Sequence, residues 1–319
     1  MTITTGKKRE KIDRLGELAA VRDDEQGVSL WREAFRRLRR NPAAIAGAVI
    51  LALFLLVAIV GPFFAPHPAD AQLWKGEVRL GDFPGPRAEN WFGTDHIGRD
   101  EFSRMIVGAR QTLLVGVIST LIGLAVGSFI GGVAGAAAGL GGRWGRSLDN
   151  VLMRFVDMLL AMPSLLLAIS IAAILGAGLT TVMIAVGVVS VPVFARLLRG
   201  SMIAQANSDY VLAATSLGVK KPKIALTHVV PNSLAPVIVQ ATLTLATAII
   251  EAAALSFLGL GNNDASIPEW GVMLADAQQY LDTAPRLAIL PALAIIITAL
   301  GFTLLGEAMR EALDPKLRK

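Results

Sequence analysis

Hydrophobic and polar positions alternate in long blocks along this chain, with no short-period pattern sustained through them. Apolar runs occupy Ala43 to Phe64, Thr112 to Leu140, Val151 to Leu175, Leu179 to Leu198, Leu234 to Leu258 and Leu287 to Gly306. A hydrocarbon core of about 30 Å needs roughly 20 helical residues to cross it, and each block is long enough. Lipid offers no partner for unpaired backbone groups, and the two-residue alternation of a membrane barrel strand is missing, so each block is predicted to be a helix. Ahead of the first block, Ser29 to Arg40 places Trp31, Phe35 and Leu38 on one helical face and crowds Arg32, Arg36, Arg37, Arg39 and Arg40 around the rest. This predicts an interfacial helix leading into the first span. The expected fold is an all-α polytopic membrane protein with six transmembrane helices.

Composition agrees, with 54% hydrophobic and 17% charged residues and a mean hydropathy of +0.58, outside the range of soluble globular domains. The first apolar run begins after forty-two residues and is too long for the core of a signal peptide, so it is expected to be retained. There is no cysteine, which excludes disulfides and thiolate metal or redox centres. Basic residues decide orientation. With the N-terminus inside, twenty-three of the thirty Lys and Arg residues fall on the cytoplasmic side, and both termini are predicted to be cytoplasmic. The basic excess lies beside membrane helices instead of forming a soluble basic domain, which argues against nucleic acid as a partner.

Within the spans, Gly123, Gly127, Gly131, Gly135 and Gly139 recur every fourth residue. Such a face lets another helix approach closely, and helix packing is favoured here over a pore-lining role. Pro163 and Pro192 are expected to kink the third and fourth spans. Asp157 and Glu251 are the intramembrane acids. For Asp157, close to Arg154, local ion pairing or solvation at the interface is favoured over transport chemistry, whereas Glu251 is open between a lumen position and a structural contact. The histidines, His67, His96 and His228, are read as loop residues. No phosphate loop, H-E-x-x-H or paired-cysteine motif occurs, so no catalytic, cofactor-binding or metal site is predicted and energy must come from elsewhere.

Between the fourth and fifth spans lies a polar, basic stretch, Tyr210 to Asn232, reading YVLAATSLGVKKPKIALTHVVPN. Its Ala213, Ala214, Gly218 and Pro231 resemble the cytoplasmic loop by which permeases of bacterial ABC importers engage their ATPases. Two further stretches, Trp91 to Arg110 (WFGTDHIGRDEFSRMIVGAR) and Leu255 to Gly261 (LSFLGLG) with Trp270, Gly271, Met273 and Leu274, are similar to the second permease type of the dipeptide and oligopeptide ABC importers. The resemblance covers most of the chain from Ser29 onward. Leu212 stands where the general docking motif has glutamate, Val230 where leucine is usual, and Arg286 and Ala292 where tryptophan and glycine are frequent.

The resemblance implies the type I ABC importer permease architecture. It divides the chain into a flexible cytoplasmic N-terminus (1–28), a segment with the interfacial helix, first span and external stretch (29–111), a core permease domain (112–307) with its coupling loop (199–233), and a cytoplasmic tail (308–319). It implies that Tyr210, Ala213, Ala214, Gly218, His228, Pro231 and Asn232 serve ATPase coupling, with Gly218 ending a short helix. It implies that Gly93, Asp95, Gly98, Arg99, Asp100, Arg104 and Arg110 contact a binding protein or the other permease. The expected partners are a homologous second permease, one or two ATPase subunits carrying two ATPase domains, an extracytoplasmic substrate-binding protein and the lipid bilayer of a prokaryotic cell membrane. ATP and Mg would be bound by the ATPases. The implied solutes are di- and oligopeptides; the same machinery carrying nickel or another small solute is the alternative, and a gradient-driven transporter a remote one.

Overall fold

The computed structural model describes residues 30–79, 82–262, 264 and 266–313, and every side chain in that set except those of 30–33. The segment 1–28 and residues 314–319 of the tail lie outside it. Among the described residues ten helices carry the fold: α1 Leu30–Leu38, α2 Pro42–Phe64, α3 Glu101–Leu140, α4 Gly142–Leu160, α5 Ser164–Leu175, α6 Leu179–Ala206, α7 Asp209–Ser216, α8 Lys221–Leu260, α9 Trp270–Ala277 and α10 Arg286–Leu313. Five of these are long and apolar enough to cross a membrane, and α4 with α5 makes a sixth span if the bent pair counts as one.

Entry into α2 is set by Asn41, whose Oδ1 accepts from the Ala43 and Ala44 amides at 2.9 and 3.3 Å, with Pro42 at the first helical position. Helix α2 buries Ala44, Gly47, Leu51 and Ala58 against α10 and leaves Val49, Leu53, Leu56 and Ile59 outward, one face for protein and one for lipid. At Gly47 a Cβ would stand 2.8 Å from the Gly301 carbonyl oxygen.

The tightest pairing joins α3 and α6. A Cβ on Gly123 would meet the Ser190 Cβ at 2.6 Å, on Gly127 the Val191 oxygen at 2.5 Å, on Gly135 the Met202 Cβ at 2.9 Å and on Gly139 the Ala206 Cβ at 2.8 Å; at Gly131 it would collide with the Ala195 backbone. The five glycines therefore form one edge along which α6 lies, the close approach that holds helices together where no hydrophobic drive exists between them.

Several expectations need correction. The third span is not one kinked helix. It breaks at Ala161–Pro163 into α4 and α5, which meet at 92°, because Pro163 has no amide for the ladder and drives the residue before it out of helical geometry. Helix α6 continues through Pro192. The stretch 199–233 is largely helical: α6 runs to Ala206, α7 follows, and α8 starts at Lys221. His228 is thus in a helix, inside a wider i→i+5 turn at Ala225–Val229, and is not a loop residue. Helix α10 runs on to Leu313, so the first residues of the 308–319 tail are helical.

Candidate functional site

Two ends of the bundle carry the polar chemistry. At the end rich in Lys and Arg, α7 bridges α6 and α8. Its Val211 is buried with Phe194, Leu198 and Met202 of α6 and Ile224, Val229 and Val237 of α8, and Ala214 packs on the same cluster. The opposite face of α7 is left open: Ala213 is exposed, Leu212 is 59% exposed, Leu217 just past its end is 84% exposed, and Leu226 of α8 is exposed as well. The Tyr210 hydroxyl donates to Gln205 Oε1 at 2.8 Å and its ring stands edge-on to His228 at 6.5 Å. Asn232 Nδ2 donates to the His228 carbonyl at 2.8 Å, and Pro231 is exposed beside it. Gly218, at φ +76°, turns the chain out of α7 while the Val219 amide closes on the Ala214 carbonyl, which is why a residue without a Cβ stands there. The seven residues of the coupling prediction thus lie together on one projecting helical turn and its base.

At the other end, the stretch between α2 and α3 folds back on itself. Asp95 Oδ1 accepts from the Ile97 and Arg99 amides, and its Oδ2 meets Arg99 Nε at 2.5 Å and Arg104 Nε at 3.7 Å. Arg99 also reaches Asp276 of α9 at 3.7 Å. Asp100 caps α3 through the Ser103 amide at 3.0 Å, and Arg286 Nη2 donates to the Phe83 and Pro84 carbonyls at 3.2 and 3.0 Å. Gly93 and Gly98, at φ +77° and +84°, make the turns between.

Asp95, Arg99, Asp100 and Arg104 are each buried within this chain. This corrects the contact-surface reading for them and for Gly93 and Gly98: their partners are inside the subunit, and of the seven only Arg110 is exposed. Part of the signal was present in the sequence as opposite charges four residues apart, Asp95 with Arg99; Arg104 comes to the same carboxylate from the first turn of α3. Buried charges left unpaired are costly, and that spacing satisfies them locally.

Trp270, Glu269 and Ser256 hold this cap to the bundle and were not singled out as functional. The Trp270 indole donates to the Met105 carbonyl at 3.0 Å beneath Gly108. Ser256 Oγ donates to Glu269 Oε2 at 2.7 Å, and burial pushes the Glu269 carboxyl up to about 7 against the pull of that hydroxyl.

The intramembrane acids separate. Asp157 does not pair with Arg154; its Oδ1 meets Arg196 Nη2 of α6 at 2.6 Å, because α4 turns that face toward α6. Glu251 is half-buried in α8 within hydrogen-bonding reach of Ser164, the first residue of α5. Also missed was Asp149, which grips Arg199 in a two-pronged contact at 2.5 and 2.7 Å. Among the described residues no group of His, Cys, Asp and Glu could hold a metal ion.

A bundle of apolar helices long enough to cross a membrane, with a short helix bridging two of them at its basic end, is a multi-pass membrane subunit, and its sequence specifies which kind. Residues 127–319 match the family described as binding-protein-dependent transport system inner membrane component, and residues 29–80 the N-terminal TM domain of oligopeptide transport permease C. The chain belongs to the first of these families and is a multi-pass membrane protein, a permease of the ABC importer class. It is similar to the dipeptide transport system permease protein DppC of Alkalihalophilus pseudofirmus, 43% identical over 93% of each chain. It is also similar to the glutathione transport system permease proteins GsiD of Pectobacterium atrosepticum, 38% identical over 95% of this chain and 97% of the relative, and of Escherichia coli, 41% identical over 90% and 91%. A chain of the inward-facing MetNI methionine ABC transporter superposes with a TM-score of 0.54 at 17% identity, covering 66% of this chain and 96% of that one, which establishes the type I importer permease fold.

Proposed function

We propose that this chain is one of two permease subunits of an ATP-driven peptide importer, and that α7 is the element through which ATPase subunits drive it. The observation that carries the reading is the two-faced character of α7. Its inner face is locked into α6 and α8, while its outer face leaves Leu212, Ala213 and Leu217 uncovered among the described residues. Apolar residues exposed beyond the membrane face are what a partner groove would cover. The relatives named for dipeptide and glutathione transport supply the substrate class.

In this reading both termini and α7 are cytoplasmic, and ATP hydrolysis belongs to the partner subunits. A force on α7 passes directly to Met202 and Leu198 of α6 and to Ile224 and Val229 of α8. Pro192 and Pro236 interrupt the hydrogen-bond ladders further along those two helices, which gives each a place to flex. Rocking of the bundle between two openings then follows from a rigid-body push. The binding protein would meet the exposed parts of the opposite cap, such as Leu73, Trp91 and Leu281, since the charges beneath them are already paired.

The test is peptide uptake by cells carrying Ala214→Asp or Gly218→Glu. Both variants are expected to insert normally and to lose ATP-dependent uptake. Wild-type uptake in both would overturn the coupling role.

A further inference from the structure

The chain holds two ion pairs between α4 and α6, and they differ in kind. Asp149 and Arg199 are 5% and 29% exposed and joined through two bonds, so that pair tethers the helices. Asp157 and Arg196 are 57% and 58% exposed and meet through Oδ1 and Nη2 at 2.6 Å, so α4 and α6 do not depend on them for their seating. Arg196 lies ten residues before the basic end of α6, about 15 Å along the axis. A charged pair that open, in the last turn of the apolar run that ends at Leu198, is costly against lipid and belongs in water or against another polar surface.

What it opens onto is a groove of about 600 Å³, with Leu160 of α4, Pro192, Arg196 and Ser201 of α6, and Pro236 and Gln240 of α8 on its walls. Arg196 is the one charged residue among those lining it. The prolines strip donors from the Val188 and Asn232 carbonyls, four residues before each, which adds acceptors near the same wall. The result is a mixed wall of apolar side chains, the Gln240 amide and the Ser201 hydroxyl around a single guanidinium.

The geometry points to a carboxylate-binding station on the inner half of the transport path: Arg196 receives the terminal carboxylate of the passing solute, and Asp157 is its counter-ion when the path is empty. This rests on the peptide-import reading, under which each linear peptide carries one such carboxylate whatever its side chains. A guanidinium presents a planar fork that matches a carboxylate. Asp157 keeps that attraction shallow by competing for the same fork, and a transport site must release as readily as it binds. Exchange of one carboxylate for another on Arg196 leaves the charge of the wall unchanged when the solute departs.

The experiment uses the assembled importer in proteoliposomes. Because the chain lacks cysteine, Ser201→Cys and Gln240→Cys report water access without background from this subunit. Both are expected to react with a membrane-impermeant thiol reagent; failure of both places the groove under lipid or the second permease and overturns the station. Arg196→Gln is expected to lower ATP-dependent dialanine uptake about tenfold, the loss of a charge-assisted pair, while ATPase stimulated by the binding protein is retained. Unchanged uptake overturns the proposal. The exchanged pair Asp157→Arg with Arg196→Asp rebuilds the bridge but not the α6 guanidinium, and is expected to stay impaired; full recovery would make the pair a tether and overturn the station. A wild-type complex without dipeptide uptake would defeat the import reading itself, a failure seen before any variant is compared.

Discussion

The two ends of this bundle handle polar residues in opposite ways. At the cap, Asp95, Arg99, Asp100 and Arg104 are drawn inward, and their hydrogen bonds and charges close on one another, on Ser103 and on Asp276. At the basic end, α7 buries one row through Val211 and leaves Leu212, Ala213 and Leu217 uncovered. The ion pairs of the cap therefore close within the fold, whereas the outer face of α7 finds no cover among the described residues. A charged residue near a functional surface is not by itself a contact residue, and an exposed leucine row there is the better sign of a partner.

That contrast predicts opposite outcomes on stability and on uptake. Asp95→Ala removes the carboxylate that Arg99 and Arg104 share and is expected to cost about 3–5 kcal/mol, read as loss of folded chain from detergent-solubilised membranes. A cap that tolerates the change would break the claim that its charges are structural.

Glu269 gives the next effect. Its pKa is raised from the ordinary 4.5 to about 7, so the folded chain holds a proton that the unfolded chain releases between those values. Stability is unaffected by this group below pH 4.5, falls as pH rises to 7, and is level above it. The linkage is about 3 kcal/mol at most, and Glu269→Gln should flatten that part of the pH profile of thermal unfolding.

Gly131→Val forces a side chain into the Ala195 backbone and is expected to lower stability by about 1–3 kcal/mol, measured as an earlier loss of monodisperse protein on heating. Smallest on stability is Leu217→Ala, within about 0.5 kcal/mol because the side chain is exposed, yet uptake should fall. If Leu217→Ala unfolds the chain and spares uptake, the comparison is reversed.

Much of this architecture is written in the length of the apolar runs, because crossing a bilayer imposes a minimum that soluble helices need not meet. The glycine period of α3 likewise marks the face on which α6 lies. The break at Pro163 was less legible: hydropathy reports how apolar a segment is, and Val151 to Leu175 stays apolar through a 92° change of direction. The partner of Asp157 was illegible for a different reason. Arg154 is its near neighbour in sequence, but Arg196 faces it from another helix, thirty-nine residues away. The turn of α7 could be located from Ala213, Ala214 and Gly218, whereas the division of its residues into locked and open faces needed the positions of Phe194 and Val229.

The central claim is that the open face of α7 is where ATPase subunits act. Ala213→Cys in this cysteine-free chain places a unique thiol on that face. Derivatised with a short photo-crosslinker in native membranes, it is predicted to join a polypeptide whose peptides include an ATP-binding phosphate loop. Crosslinks confined to lipid or to a second permease would contradict the account.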